Sequence, residues 1–245
     1  MTETTKFWIK VIAYGLTKVH PAIKKMEAYD NNGEKEKEFS LATKTVQGWS
    51  EYCIKVAECN LKVNGLEKIP TDKPVLFVPN HQSYADIPIL LYALKDYPFG
   101  FVVRKTMANM PFIKQLFRHF NCVPIDVTDA RQSVEAINKT AENINNGFSM
   151  AIFPEGRRTF SNTPEPFYNG AFKIAKKTGV TIVPVYLHNA HRMFEGNGHQ
   201  LGKGVNVSVN ILDPISTEGM TRSDVNALNE KVYEMILNFS KNYTE

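Results

Sequence analysis

Apolar and polar positions recur along this chain with two different periods, and the change of period divides it. Near the start, Trp8, Val11, Ile12, Gly15, Leu16 and Val19 fall three or four residues apart, with Lys6, Lys10 and Lys18 beside them. This spacing predicts an amphipathic helix. Pro21 is expected to bend or restart it, and the polar run Asn31-Asn32-Gly33-Glu34-Lys35-Glu36-Lys37-Glu38 to form a turn. Leu41, Val46, Trp49, Cys53, Val56 and Ala57 then predict a second helix. Residues 1–60 are therefore expected to form an amphipathic helical hairpin.

From Leu61 onward the period changes. Short β-branched or aromatic runs at 61–63, 75–78, 99–103, 122–125, 150–153, 182–187 and 205–212 read as strands, and helical patterns fill 87–96, 109–120, 130–146, 168–178 and 221–242. Alternation of this kind predicts an α/β domain over 61–245, with a largely parallel sheet flanked by helices. Functional groups are then expected in loops leaving the carboxyl ends of strands.

Composition narrows the setting. A chain of 245 residues, 43% hydrophobic, can bury one substantial core. The three cysteines, Cys53, Cys59 and Cys122, are odd in number and lack CxxC spacing, which argues against a disulfide framework or thiolate zinc site and for a reducing, cytosolic environment. No apolar run reaches the roughly 18 to 20 residues needed to span a bilayer; those at 7–16 and 87–94 are short, and no A-x-A-like cleavage site follows the first. A net charge of +4 suits anionic headgroups, and no nucleic-acid partner is expected. Both tryptophans lie in the N-terminal helices. Indole rings settle at headgroup depth while lysines meet phosphates, so the hairpin is expected to dock the protein peripherally on the cytoplasmic face of a membrane. An ordinary helical pair packed on the core would show the same pattern.

The candidate chemistry sits at strand ends. After the strand at 75–78 comes Asn80-His81-Gln82-Ser83-Tyr84-Ala85-Asp86. Acyl transfer to an alcohol needs a base for the hydroxyl proton, which histidine supplies near neutral pH; Asp86, one turn on, can fix its tautomer and stabilise the imidazolium. Turn and helix capping would use the same two residues. The second loop, Phe153-Pro154-Glu155-Gly156-Arg157-Arg158-Thr159, brings guanidinium groups that bind phosphate bidentately and a glycine that lets backbone amides approach an anion. Arg104 and Lys105 follow the strand at 99–103, just before Asn109-Met110-Pro111-Phe112. In Ile182-Val183-Pro184-Val185, a proline inside a buried strand implies a bulge, an edge or a shaped cavity wall.

Taken in order, Asn80-His81-Gln82-Ser83-Tyr84-Ala85-Asp86, Arg104-Lys105 with Pro111-Phe112, Phe153-Pro154-Glu155-Gly156-Arg157-Arg158 and Ile182-Val183-Pro184-Val185 resemble the four sequence blocks of the glycerolipid acyltransferase family. The resemblance covers about residues 61 to 215. It implies transfer of a fatty acyl group from acyl-CoA or acyl carrier protein to the sn-2 hydroxyl of lysophosphatidic acid, giving phosphatidic acid, with no cofactor and no metal. It further implies His81 as general base, Asp86 as its orienting partner, and Arg104, Lys105, Glu155, Gly156, Arg157 and Arg158 as substrate-binding residues. Arg157 stands where the family often has threonine, and Arg104 where many relatives have lysine. One departure is larger: Ile125-Asp126 is followed by Val127 where the family has arginine, leaving Arg118 or Arg131 as substitutes. Another lysolipid or glycerol 3-phosphate therefore stays open as acceptor, and a non-catalytic lipid-binding protein is the alternative from outside the enzymes. No GxSxG elbow is present, so transfer is expected to be direct, with the oxyanion donors unassigned. His188 and His191 lack a clear third metal ligand.

Overall fold

The computed structural model describes residues 1–108 and 113–244. A seven-stranded sheet forms from β1 (Asn60–Asn64), β2 (Val75–Pro79), β3 (Phe99–Arg104), β4 (Val123–Ile125), β5 (Ser149–Ala151), β6 (Thr181–His188) and β7 (Asn206–Ile211), in the order β1-β7-β6-β2-β5-β3-β4. Only the β6–β7 contact is antiparallel. Each predicted strand is present within one or two residues at its ends. The predicted strand at 150–153 stops at Ala151, because the chain turns away through Pro154 toward Gly156.

Pro184 shows why a central strand tolerates proline here. The β6–β7 ladder runs from His188 to Val185, and Leu212 N–H then donates to Pro184 O at 2.9 Å. Beyond it, Ile182 and Ile215 exchange two hydrogen bonds of 2.9 and 2.8 Å. The step from 184 to 182 on one strand faces the step from 212 to 215 on the other, which is a one-residue bulge. Proline lies where the ladder is already broken, as its missing N–H requires.

The helices are α1 (Glu3–Tyr14), α2 (His20–Asn31), α3 (Lys35–Val56), α4 (Asp86–Ala93), α5 (Lys105–Ala108), α6 (Ile113–His119), α7 (Ala130–Asn145), α8 (Gly170–Thr178) and α9 (Asp224–Asn242). Strand alternation sends Val75 and Phe77 to one face of β2 and Leu76 and Val78 to the other, and the two faces feed two cores. Phe77, Phe99, Phe101, Val183 and Leu187 pack with residues of α4 and with Phe7, Val11, Ile23, Met26, Ala42, Val46 and Cys53 from the N-terminal helices. Leu76, Val78, Met150, Ile182 and Tyr186 pack against α7, α8 and α9. The N-terminal helices thus share one continuous core with the sheet.

Pro21 stands in the first turn of α2, as expected of a proline that restarts a helix, and a π-helical turn over Gly15–Val19 joins α1 to α2. Two details differ from the sequence-based expectation. The predicted turn at 31–38 contracts to about Asn32–Glu34, since Lys35 to Glu38 already belong to α3, whose first turn places Glu36 and Glu38 at the positive end of the helix dipole. Trp49 packs against the core rather than outward. The helix expected over 109–120 corresponds to α6 in its second half, while Asn109, Met110, Pro111 and Phe112 lie outside the described residues. Across the hairpin, Arg118 pairs with Asp30 at 2.5 Å, Lys35 bonds both Asp30 and Glu38, and His119 Nδ1 meets Glu38 Oε1 at 2.6 Å, so charged groups tie α2, α3 and α6 together.

Candidate active site

The loop after β2 starts with an asparagine that continues the sheet by other means. Buried Asn80 accepts from Leu187 N–H at 2.6 Å and donates from Nδ2 to Leu187 O at 3.1 Å, pairing its side chain with β6 where the backbone of β2 departs. Gln82 Nε2 donates to the same carbonyl at 2.8 Å and to Asn162 Oδ1 at 3.1 Å. These two amides lock the loop to the sheet and lift His81 to its rim.

His81 Nδ1 lies 2.7 Å from Asp86 Oδ2, and the same oxygen accepts N–H bonds from Gln82 at 2.7 Å and Ser83 at 3.0 Å. Asp86 is fully buried at the start of α4, and its other oxygen takes no hydrogen bond from the described residues. An oxygen that already accepts two backbone N–H bonds serves as acceptor for the ring as well. An Nδ1–H directed at this oxygen is the tautomer that leaves the lone pair on Nε2, as a base requires. The imidazole stacks on Phe153 with ring centres 4.0 Å apart, and Phe153 stacks in turn on Phe101. Asp86 is the first residue of α4 and makes no helix-capping bond; its carboxylate holds the 82–83 turn and the His81 ring instead.

The second loop grips the first. Thr159 donates its N–H to His81 O at 2.9 Å, and its hydroxyl reaches the same oxygen at 3.1 Å. Glu155, expected among the acceptor-binding residues, turns inward instead. Its Oε1 accepts the His81 N–H at 2.6 Å and its Oε2 the Glu165 N–H at 2.8 Å. Burial pushes its carboxyl up to about 8, against the two N–H bonds, with the nearby Asp86 adding to the rise. Its position makes it a brace for His81. Gly156 has φ of 65°, so the turn favours glycine for its conformation, and a Cβ there would press on the exposed Tyr168 ring at 3.2 Å.

The cations divide. Arg104, at the end of β3, donates from Nη2 to Gly156 O, which brings it to the second loop. Arg157 is exposed and pairs with Glu165 at 2.5 Å. Arg158 is only 25% exposed; its Nη1 lies 2.9 Å from Glu195 Oε1 and its guanidinium 3.5 Å above the Tyr84 ring. Lys105 reaches away to Gln132 on α7 at 2.8 Å. Of the two substitutes for the missing arginine, Arg118 pairs with Asp30 and Arg131 with Glu135 in an exposed pair on α7, while Val127 is exposed.

Other nucleophiles are withdrawn. Ser83 is buried and gives its hydroxyl to Glu195 Oε2 at 2.5 Å, away from His81. Burial pushes the thiols of Cys53, Cys59 and Cys122 up to about 12, so none offers a thiolate near neutral pH. His191 is engaged with Gln82 Oε1 at 3.3 Å, and burial lowers its pKa. Residues unassigned from sequence thus shape the site: Asn80, Gln82, Asn162 and Glu195. The first two stood inside a recognised block, but the loops carrying the others offer no periodic signal.

Comparisons with known proteins bear on the family and the fold. Residues 60–188 match the model of the family described as Acyltransferase. The chain is 33% identical over 156 residues to the chloroplastic 1-acyl-sn-glycerol-3-phosphate acyltransferase LPAT1 of Arabidopsis thaliana, covering 63% of this chain and 43% of that protein. It is 30% identical over 187 residues to the 1-acyl-sn-glycerol-3-phosphate acyltransferase of Saccharomyces cerevisiae, covering 74% of this chain and 60% of that one. The crystal structure of the 1-acyl-sn-glycerophosphate (LPA) acyltransferase PlsC from Thermotoga maritima shares the fold, with a TM-score of 0.79 and 21% identity over 98% of this chain and 97% of that one. The family match holds the His81–Asp86 loop, the Glu155 turn and most of the strands that carry them, and the chain belongs to the acyltransferase family.

Proposed function

We propose that this chain transfers a fatty acyl group from acyl-CoA or acyl carrier protein to the sn-2 hydroxyl of lysophosphatidic acid, giving phosphatidic acid. The observation that carries the reading is the 2.7 Å contact between His81 and buried Asp86, which leaves Nε2 with its lone pair at the sheet rim. Nε2 takes the hydroxyl proton as the acceptor oxygen attacks the thioester carbonyl. The tetrahedral intermediate then collapses, the C–S bond breaks, and the imidazolium returns the proton to the leaving thiolate. Asp86 stabilises the imidazolium between these steps. Arg158 and Arg104 supply the positive charge for the acceptor phosphate, with Arg158 presenting a planar fork. Val127, which removes a cation the family usually has, keeps glycerol 3-phosphate and other phosphate-bearing lysolipids as further acceptors to test. Labelled acyl-CoA offered with a panel of these acceptors separates them: label in phosphatidic acid from lysophosphatidic acid supports the reading, and label in no phosphate-bearing product overturns it.

The same proposal places the protein peripherally on a cytoplasmic membrane face through residues 1–60. On α1, Phe7 and Val11 turn to the core while Trp8, Ile9, Ile12 and the nearby Leu16 stay exposed, Trp8 at 49%. Lys6, Lys10 and Lys18 are exposed around them. An apolar stripe with basic flanks suits the headgroup boundary, where each lysine contributes about 1 kcal/mol at low salt. Among the described residues no helix is long and apolar enough to cross a membrane. Vesicle co-sedimentation tests the stripe: Trp8→Ala is expected to weaken adsorption at all salt concentrations, and unchanged adsorption would move the contact elsewhere.

A further inference from the structure

Residues 189–202 match no block of the resemblance, yet they close over the loop that holds His81. Asn189 starts the segment with φ of 63°, and short 3-10 turns at Ala190–Met193 and Glu195–Asn197 follow. Its inner side reaches the 82–84 loop twice. His191 contacts Gln82 Oε1 through its N–H and its ring. Glu195 Oε2 accepts the Ser83 hydroxyl at 2.5 Å, while Oε1 accepts the Tyr84 N–H at 3.0 Å and Arg158 Nη1 at 2.9 Å. The outer side is seated on α1: Phe194 packs against Phe7 and Trp8 with ring centres 5.3 and 5.8 Å apart, and Thr4 bonds Gln200 and the Leu201 N–H. The turn itself is tight, since a Cβ on Gly196 would approach His191 Cδ2 to 2.5 Å.

We propose that Glu195 is a positioning residue for acceptor recognition, one that fixes the plane of Arg158 and so presents its remaining N–H edge to the acceptor's phosphate. This rests on the reading of Arg158 as a phosphate-binding group. The Glu195 side chain is 3% exposed, so its charge is compensated from within the fold, and Arg158 is the cation that meets it. A guanidinium carries five N–H donors, and the Glu195 contact is made through Nη1 alone. Held at that nitrogen and stacked on Tyr84, Arg158 has lost its rotamer freedom before the ligand arrives. That lowers the entropic cost of binding. The same carboxylate pins Ser83 and Tyr84, so the phosphate-reading fork and the His81 loop are held in one frame. A carboxylate that merely competed with phosphate for Arg158 would act with the opposite sign.

Steady-state kinetics with lysophosphatidic acid varied at saturating acyl-CoA decide between these roles. The proteins compared are wild type, Glu195→Ala, Glu195→Gln, Arg158→Ala and the double variant Glu195→Ala with Arg158→Ala, each with its thermal midpoint measured. Glu195→Ala is expected to raise the acceptor KM about tenfold, with kcat and donor KM changing less than about threefold. Glu195→Gln keeps the shape and one acceptor oxygen and is expected to fall between. Should the alanine variant fail to fold, the glutamine variant carries the same test. Arg158→Ala is expected to cost less in the Glu195→Ala background than in wild type, because the two residues act as a unit. An acceptor KM unchanged or lowered in the Glu195 variants, a fall in kcat at constant KM, or full additivity overturns the proposal alone. An Arg158→Ala enzyme with normal acceptor KM overturns the reading of Arg158 and this proposal together.

Discussion

The two sides of the candidate site are built to different tolerances. On the His81 side, each group is held from several directions: Asp86 accepts the ring and two backbone N–H groups, Glu155 braces the His81 backbone, and Phe153 supports the imidazole face. On the cation side, Arg104, Lys105 and Arg157 are exposed, and their bonds run to a carbonyl, a glutamine and an exposed carboxylate. Arg158 stands between, a quarter exposed, stacked on Tyr84 and paired with buried Glu195. Under the proposed mechanism the difference has a reason: proton transfer needs heavy atoms fixed at hydrogen-bond distance. Phosphate recognition would combine one held fork, Arg158, with longer-range charge from solvated side chains.

The contrast can be broken in a graded way. Asp86→Asn, which disturbs the tautomer but leaves the ring in place, is expected to cost roughly a hundredfold in kcat, less than removal of His81. An asparagine enzyme as active as wild type would show that Asp86 only holds the turn at Gln82 and Ser83. Arg158→Ala is expected to raise the acceptor KM roughly tenfold with little change for the donor, and Arg158→Lys to recover part of it, since a point charge cannot reproduce the fork. Equal effects on donor and acceptor would assign Arg158 to the fold or to the donor. Arg157→Ala, which breaks an exposed ion pair, is expected to change either KM by less than about twofold. A larger effect would extend the cooperative side of the site to Arg157.

Glu155 sharpens the comparison through pH. Its folded pKa of about 8 lies above the ordinary 4.5, mainly through burial. Stability from this group is therefore present below about 4.5 and lost as pH rises through about 8. Thermal midpoints of wild type are expected to fall over that window more than those of Glu155→Gln, which has no charge to bury. Parallel curves would show that Glu155 is better solvated than its surroundings indicate.

Strand positions, the α/β class and the pairing of His81 with Asp86 were legible because each is local: period two marks a strand, and the six residues from His81 to Asp86 carry both partners. The role of Glu155 was not, because EGR composition reads as phosphate-binding until its carboxylate is found bonded to the N–H groups of His81 and Glu165. Glu195 was further from view, 112 residues from Ser83 and on a loop without period. Trp8 and Trp49 share helical spacing with the core, and spacing alone does not say which side of a helix the sheet will cover. Here the sheet side took Phe7 and Val11 and left Trp8 outside. Pro21 was legible as the point where a helix restarts, since it stands in the first turn of α2, while the π turn before it has no periodic signal.

The most direct test compares wild type with His81→Ala in forming phosphatidic acid from labelled acyl-CoA and detergent-dispersed lysophosphatidic acid, with melting curves showing both proteins folded. Wild type is expected to turn over, and His81→Ala to lose about a hundred- to ten-thousand-fold in turnover with its thermal midpoint nearly unchanged, as a general base on a rim loop requires. A folded His81→Ala protein that kept more than about a tenth of wild-type turnover, well above the residual rate left by loss of a general base, would contradict the assignment.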